Sequence, residues 1–146
     1  MISYDIDGVL AENPPNRNKK FELQTNEERI QYDNLLKNWY ANAKPLLFPK
    51  DEFIAISARR KTIEIVEITA NWLNKYHKSL VHSIHLFDGK KTLDNVANFK
   101  AKCILENQIT KHTEDNLDIL FRLKKNIGNT VELYHWEKGM IEPELF

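Results

Sequence analysis

Two aspartates near the N-terminus, Asp5 and Asp7, have the residue type and the spacing needed for chemistry at phosphorus. They flank Ile6 at the end of a short apolar segment, and Gly8 follows directly. In an extended strand, residues two apart point the same way, so both carboxylates would face one point. Carboxylates this close repel one another, and a divalent cation held by oxygen atoms, Mg²⁺ above all, removes the repulsion. A carboxylate beside such a cation can act as a nucleophile towards a phosphate group.

Polar side chains also stand at other places where an apolar strand pattern ends. Residues 57–60 follow the apolar run 53–56, Asp88 and Gly89 follow the pattern at 81–87, and Glu114 and Asp115 follow the predicted strand 109–113. The carboxyl ends of parallel strands meet at one edge of an open sheet, where ligands bind. We therefore expect Asp5, Ser57 and Asp115 to lie close together.

Helical patterns alternate with these strands. Thr25 followed by Glu28 matches a capping box, and an approximately helical apolar stripe runs from there to the break near Pro45. The other predicted helices are 62–76, 93–107 and 116–125, and the first and last predicted strands are 1–6 and 130–136. The alternation predicts an α/β fold, a Rossmann-like parallel sheet with helices on both faces. We expect one domain over residues 1–146, with residues 11–47 forming a small helical cap insertion.

Composition limits the classes of protein to consider. Lys plus Arg and Asp plus Glu are both 21, so no net charge draws the chain towards nucleic acid or an anionic membrane. Cys103 is the only cysteine, which excludes an intramolecular disulfide and fits a reducing compartment. The sequence contains no apolar run of the roughly 20 residues that span a bilayer, and it begins with a strand pattern instead of a cleavable leader. We predict a cytoplasmic protein with no membrane partner.

In its motifs the chain resembles the haloacid dehalogenase-like (HAD) superfamily of phosphatases. The segment Asp5-Ile6-Asp7-Gly8-Val9 resembles the first motif, Ser57 the second, and Glu114-Asp115 the fourth in its Glu-Asp form. Residues 59–73 also resemble the nucleotidase-like branch of the superfamily. The resemblance covers most of residues 1–136, and it implies that the predicted sheet is a HAD-like core.

The resemblance implies catalytic roles. Asp5 would attack phosphorus, and Asp7 would protonate the leaving oxygen and then activate water against the aspartyl-phosphate. Ser57 would hydrogen-bond a phosphoryl oxygen. A lysine would neutralise developing charge, and its spacing favours Lys100 over Lys102.

The resemblance also implies ligands for Mg²⁺ and for the phosphate. Asp115 would hold Mg²⁺ together with Asp5 and the backbone carbonyl of Asp7, and Glu114 is the second choice as a ligand. Gly8 and the segment Ser57-Ala58-Arg59 would lie against the substrate phosphate.

The resemblance implies that the protein is a Mg²⁺-dependent phosphomonoester hydrolase. The simplest form of this expectation is a 5′-nucleotidase-like phosphatase of small phosphorylated metabolites, nucleotides included. Two alternatives stay open. The first is a phosphatase of nucleic-acid phosphate ends, aided by Arg17, Lys19, Lys20 and Arg59. The second is a catalytically idle phosphate-binding module, against which the intact aspartate pair argues. Oligomeric state does not follow from any of these patterns.

Overall fold

The structure, a computed structural model, describes residues 1–15 and 25–146. Within these ranges, six strands alternate with four helices over most of the chain. In chain order they are β1 (Ile2–Tyr4), α1 (Asn26–Asn42), β2 (Phe53–Arg60), α2 (Ile63–His77), β3 (Val81–Phe87), α3 (Leu93–Glu106), β4 (Lys111–Glu114), α4 (Leu117–Ile127), β5 (Glu132–His135) and β6 (Glu144–Leu145). The predicted α/β class is confirmed.

One sheet contains all six of these strands, in the order β3-β2-β1-β4-β5-β6. The first five are parallel, and β6 is antiparallel to β5 in a tail for which the sequence pattern made no prediction. The chain moves outward from β1 to β2 and β3, and then returns to place β4 on the other side of β1. Winding therefore reverses between β1 and β4, and such a reversal opens a crevice at the carboxyl edge of the sheet.

Alternate residues of β2 pack on opposite faces of the sheet. Ile54 and Ile56 belong to one buried cluster, which also holds apolar residues of α3 and α4. Phe53 and Ala55 belong to a second cluster on the α1 and α2 side, together with Trp72. Because both faces are covered, β2 has a continuous apolar start instead of the alternation typical of a half-exposed strand.

A polar side chain marks the start of every helix in the described ranges. In each case the side-chain oxygen accepts a hydrogen bond from the backbone N–H three residues on, which satisfies one of the free donors of the first turn. The caps are Thr25 for α1, Thr62 for α2, Thr92 for α3 and Asn116 for α4. Helix starts in this chain are therefore local properties of the sequence.

The helix predicted within the insertion is α1, and it packs against α2. Lys37 bridges to Glu64 of α2 at 2.6 Å, and Tyr40 is buried. The predicted apolar stripe is only partly covered, since Ile30 and Leu35 are exposed. No helix in the described parts of the chain has the length and apolar content that a membrane crossing requires.

Two of the differences from the predicted strand boundaries bear on the site. The second strand was expected to end at residue 56, but β2 continues to Arg60 with irregular pairing to β3 after Ser57. The fourth was expected at 109–113, but β4 ends one residue later, at Glu114. Both errors arise because polar residues that look like turn residues, among them Arg59 and Glu114, are in fact buried.

Candidate active site

The first aspartate, Asp5, lies where the sheet reverses its winding. It follows β1 directly, and its backbone N–H donates to the carbonyl of Thr113 in β4 at 3.0 Å. The chain then turns sharply, since the N–H groups of Val9 and Leu10 both donate to the carbonyl of Ile6. The tight turn leaves the Asp5 side chain buried at the carboxyl edge of β1 and β4.

Gly8 allows this turn to lie directly against Asp115. Its φ is +90°, a conformation that residues with a Cβ rarely adopt. A Cβ at Gly8 would also overlap the Asp115 carboxylate and approach Nδ2 of Asn13 to 2.7 Å. The Asn13 amide in turn donates to Oδ2 of Asp115 at 3.3 Å. Backbone conformation and close packing therefore both require glycine here.

Lys100 of α3 joins the carboxylates from the other side. Its Nζ donates to Oδ1 of Asp5 at 3.0 Å and to Oε2 of Glu114 at 2.5 Å, and all three side chains are almost fully buried. The alternative lysine, Lys102, is exposed on the same helix and lies 3.8 Å from Glu106. Of the two lysines that the sequence left open, only Lys100 contacts Asp5.

The carboxylates of Asp5, Glu114 and Asp115 converge, each offering an oxygen within 4.8 Å of the others. When all three carboxyls are ionised, the one ammonium of Lys100 leaves two negative charges uncompensated in this cluster. Burial and then Glu114 raise the pKa of Asp5 to about 7, and burial and then Asp5 raise the pKa of Asp115 to about 6. Burial also opposes ionisation of Glu114, but Lys100 and His112, with a hydrogen bond to Asp5, together outweigh it and lower the pKa of Glu114. The cluster therefore lacks positive charge.

A divalent cation fits this cluster. Its donors are carboxylate oxygens, the ligands that Mg²⁺ and Ca²⁺ prefer, and two uncompensated charges match one divalent ion. Asp5 and Asp115 are the residues best placed to hold it. One oxygen of Glu114 is already bound to Lys100, so Glu114 is the poorer candidate.

The second aspartate of the motif, Asp7, is bound by Arg59. Nε of Arg59 donates to Oδ2 of Asp7 at 3.0 Å, and Nη2 donates to Oδ1 at 2.8 Å. Burial opposes the charge on Arg59, but the Asp7 carboxylate together with Tyr40 and Asp5 outweighs it, so the pKa of Arg59 is raised. The side chain of Arg59, which we expected against the substrate phosphate, is fully buried and directed at Asp7. The Asp7 carboxylate is not one of the three that converge.

Ser57 lies in β2, where it pairs with Leu86 of β3, and it is buried. Its Oγ accepts a hydrogen bond from the backbone N–H of Arg59 at 3.1 Å, which leaves the hydroxyl proton for another acceptor. Ala58, predicted to touch substrate, is half-buried and packs on the cluster shared with α3 and α4. These two residues therefore face different surroundings.

Two residues near the site were not predicted from sequence, Asn13 and His112. His112 is fully buried, with Nδ1 2.8 Å from Oγ of Ser3 and Nε2 3.5 Å from Oε2 of Glu114. A signal for His112 existed, because residues two apart on a strand share a face, and Glu114 is two residues on. Asn13 had no such signal, since it lies in an irregular polar stretch.

A cleft of about 480 Å³ opens beside the carboxylate cluster. Lys138 borders it and forms an ion pair with Glu12 at 2.8 Å. Its lining residues are Gly8, Glu12, Asn13, Leu46, Asp115, Glu137 and Lys138. The cleft therefore reaches Asp115 and the Gly8 turn from the solvent side.

In comparisons with known proteins, the chain matches no family model and no curated protein. A function must therefore be inferred from the geometry of the site.

Proposed function

We propose that the protein is a Mg²⁺-dependent phosphomonoester hydrolase of the HAD type, in which Asp5 is the nucleophile. The observation that carries this proposal is the pairing of Asp5 with a buried ammonium on one side and with Asp115 on the other. A site that has two negative charges in excess is suited to a divalent cation and, once that is bound, to a phosphate. The reversal of winding between β1 and β4 is where such folds bind ligands.

Mg²⁺ would be held by Asp5 and Asp115 and, as the resemblance implies, by the carbonyl of Asp7. When bound, it would neutralise the carboxylates and withdraw charge from the phosphate oxygens. Gly8 supports this proposal, because its missing Cβ leaves the space in which the Asp115 carboxylate lies.

The chain's own residues account for the remaining chemistry. Asp5 forms a bond to phosphorus as the bond from phosphorus to the leaving oxygen breaks, and Asp7 supplies a proton to that oxygen. Asp7 then takes a proton from water, which attacks the aspartyl-phosphate and releases inorganic phosphate. Lys100 keeps positive charge beside the reacting oxygens, and Ser57 donates its hydroxyl proton to a phosphoryl oxygen.

The size of the cleft favours a small substrate. About 480 Å³ lies within the usual range for sites that bind small molecules, nucleotides included. The nucleic-acid alternative depended on Arg17, Lys19 and Lys20, which lie outside the described residues, and on Arg59, whose side chain is bound to Asp7. We therefore place a small phosphorylated metabolite first and keep the nucleic-acid end as an outcome of the test.

The test is hydrolysis of p-nitrophenyl phosphate, nucleoside monophosphates and a phosphorylated oligonucleotide, each with Mg²⁺ or with EDTA. Asp5→Asn should abolish turnover. Asp118→Asn makes the same chemical change at an exposed residue of α4 and should leave turnover unchanged. Mg²⁺-dependent turnover of wild type no faster than that of Asp5→Asn would refute the proposal. Phosphate binding without turnover would instead support the idle module.

A further inference from the structure

The Asp7 carboxylate is held at both oxygens by one buried side chain. The two hydrogen bonds from Arg59, at 3.0 and 2.8 Å, form a planar fork that opposes rotation of the carboxylate. The Arg59 side chain is 0% exposed, whereas that of Asp7 is 17% exposed. Asp7 therefore has a fixed buried side and a side that remains accessible.

Arg59 is itself held by groups from other parts of the fold. Its Nη1 donates to Oγ1 of Thr69 in α2 at 3.0 Å, and its guanidinium carbon lies 3.9 Å from the ring centre of Tyr40 in α1. The ring face of Tyr40 attracts the positive charge, and Thr69 takes the one guanidinium nitrogen that does not bond Asp7. A guanidinium with this many directed contacts has one orientation, which a lysine ammonium could not reproduce.

We infer that Arg59 is a positioning residue, which Thr69 and Tyr40 orient so that it fixes the Asp7 carboxylate for proton transfer. This inference depends on the proposed function, in which Asp7 exchanges a proton with the leaving oxygen and with water. Proton transfer requires the carboxylate oxygen to stay within hydrogen-bond reach of its partner. A displacement of about 1 Å lowers rates on the order of a hundredfold. The helix of the insertion thus contributes to the acid–base step through Tyr40.

The dependence of the rate on the leaving group distinguishes a role of Arg59 in positioning Asp7 from a role in binding the phosphate. An alkyl phosphate has a poor leaving group that needs the proton of Asp7, whereas dinitrophenyl phosphate releases a dinitrophenolate anion, which leaves without protonation. Loss of positioning should therefore lower kcat/KM for the alkyl phosphate alone. Loss of a phosphate ligand would raise KM for both substrates.

The experiment measures kcat and KM for both substrates in wild type and variants. Arg59→Lys should lower kcat/KM for the alkyl phosphate about a hundredfold and for dinitrophenyl phosphate less than about threefold. Arg60→Lys, the same change at an exposed neighbour, should alter neither. Thr69→Val keeps the side-chain volume but removes the acceptor, and it should lower the alkyl phosphate rate about tenfold. Thr69→Ser keeps the hydroxyl acceptor and should leave that rate at the wild-type value.

The outcomes are distinguishable. Equal losses of kcat/KM on both substrates, or no loss of kcat/KM on either, in an active Thr69→Val protein would overturn the inference and leave the phosphatase proposal intact. A rise in KM for both substrates would reassign Arg59 to phosphate binding. If wild type hydrolyses neither substrate with Mg²⁺, the proposed function fails and the inference fails with it. If Arg59→Lys does not fold, the comparison of Thr69→Val with Thr69→Ser tests the inference by itself.

Discussion

Raising the pH in the absence of divalent cations should destabilise this protein, because Asp5 and Asp115 are buried close to a third carboxylate. Their ordinary pKa is 3.8, and the fold raises the pKa of Asp5 to about 7 and that of Asp115 to about 6. Between pH 3.8 and about 7, the folded chain therefore binds more protons than the unfolded chain. The free energy of unfolding must then fall as pH rises from about 4 to about 7, and it levels off above that.

The magnitude follows from the size of the shifts. One pKa unit corresponds to about 1.4 kcal/mol, so the shift of Asp5 to about 7 alone corresponds to about 4 kcal/mol. Part of the rise in the pKa of Asp115 is caused by the charge on Asp5, so the two shifts do not add in full. The lowered pKa of Glu114 has the opposite sign, but its contribution is lost only below its ordinary value of 4.5. We expect a net loss on the order of 3 kcal/mol, or about 6–12 °C in Tm for a chain of this length.

The assay is urea unfolding followed by tryptophan fluorescence, at pH 5 and pH 8, in EDTA and in Mg²⁺. EDTA should give the lower stability at pH 8. Mg²⁺ at a hundred times its Kd should add about 2.7 kcal/mol there and less at pH 5, where protons compete for the carboxylates. Asp5→Asn should flatten the pH dependence, and Asp118→Asn should preserve it. Stability in EDTA that is equal or higher at pH 8 would refute this account of the cluster.

Two further substitutions test the packing and the charge of the site. Gly8→Ala should abolish Mg²⁺-dependent stabilisation, because the added Cβ would displace Asp115. Gly128 also has a positive φ, but a Cβ there would meet no atom within 4 Å, so Gly128→Ala should cost only about 1 kcal/mol of stability and keep the Mg²⁺ response. Calorimetry with Mg²⁺ measures both responses. Lys100→Met should lower the free energy of unfolding by about 3–5 kcal/mol at pH 8, because two buried carboxylates lose their counterion, and by less at pH 5. Lys102→Met, at an exposed position, should change the free energy of unfolding by under about 0.5 kcal/mol in the same urea titration.

Local sequence signals determined the fold class and the outline of the site. Apolar strand runs, helical stripes and the cap at Thr25 depend on neighbours within a few residues, so they could be predicted from the order of residues along the chain. The same holds for Asp5 and Asp115, which directly follow β1 and β4 and were expected at the carboxyl ends of predicted strands. Given parallel strands, these residues had to share one edge of the sheet.

Only the tertiary structure decided which charges meet. Arg59 is 52 residues from Asp7 along the chain, and Lys100 is 95 residues from Asp5. No local pattern distinguishes a buried arginine that orients an aspartate from an exposed one that binds phosphate, since the difference depends on Thr69 and on the packing of α1 over α2. The sequence alone determined that carboxylates would gather at the end of β1. The packing of α1, α2 and α3 around that edge determined that Asp5 meets Lys100 and that Asp7 meets Arg59. It also determined that the cluster of Asp5, Glu114 and Asp115 lacks two positive charges when all three carboxyls are ionised.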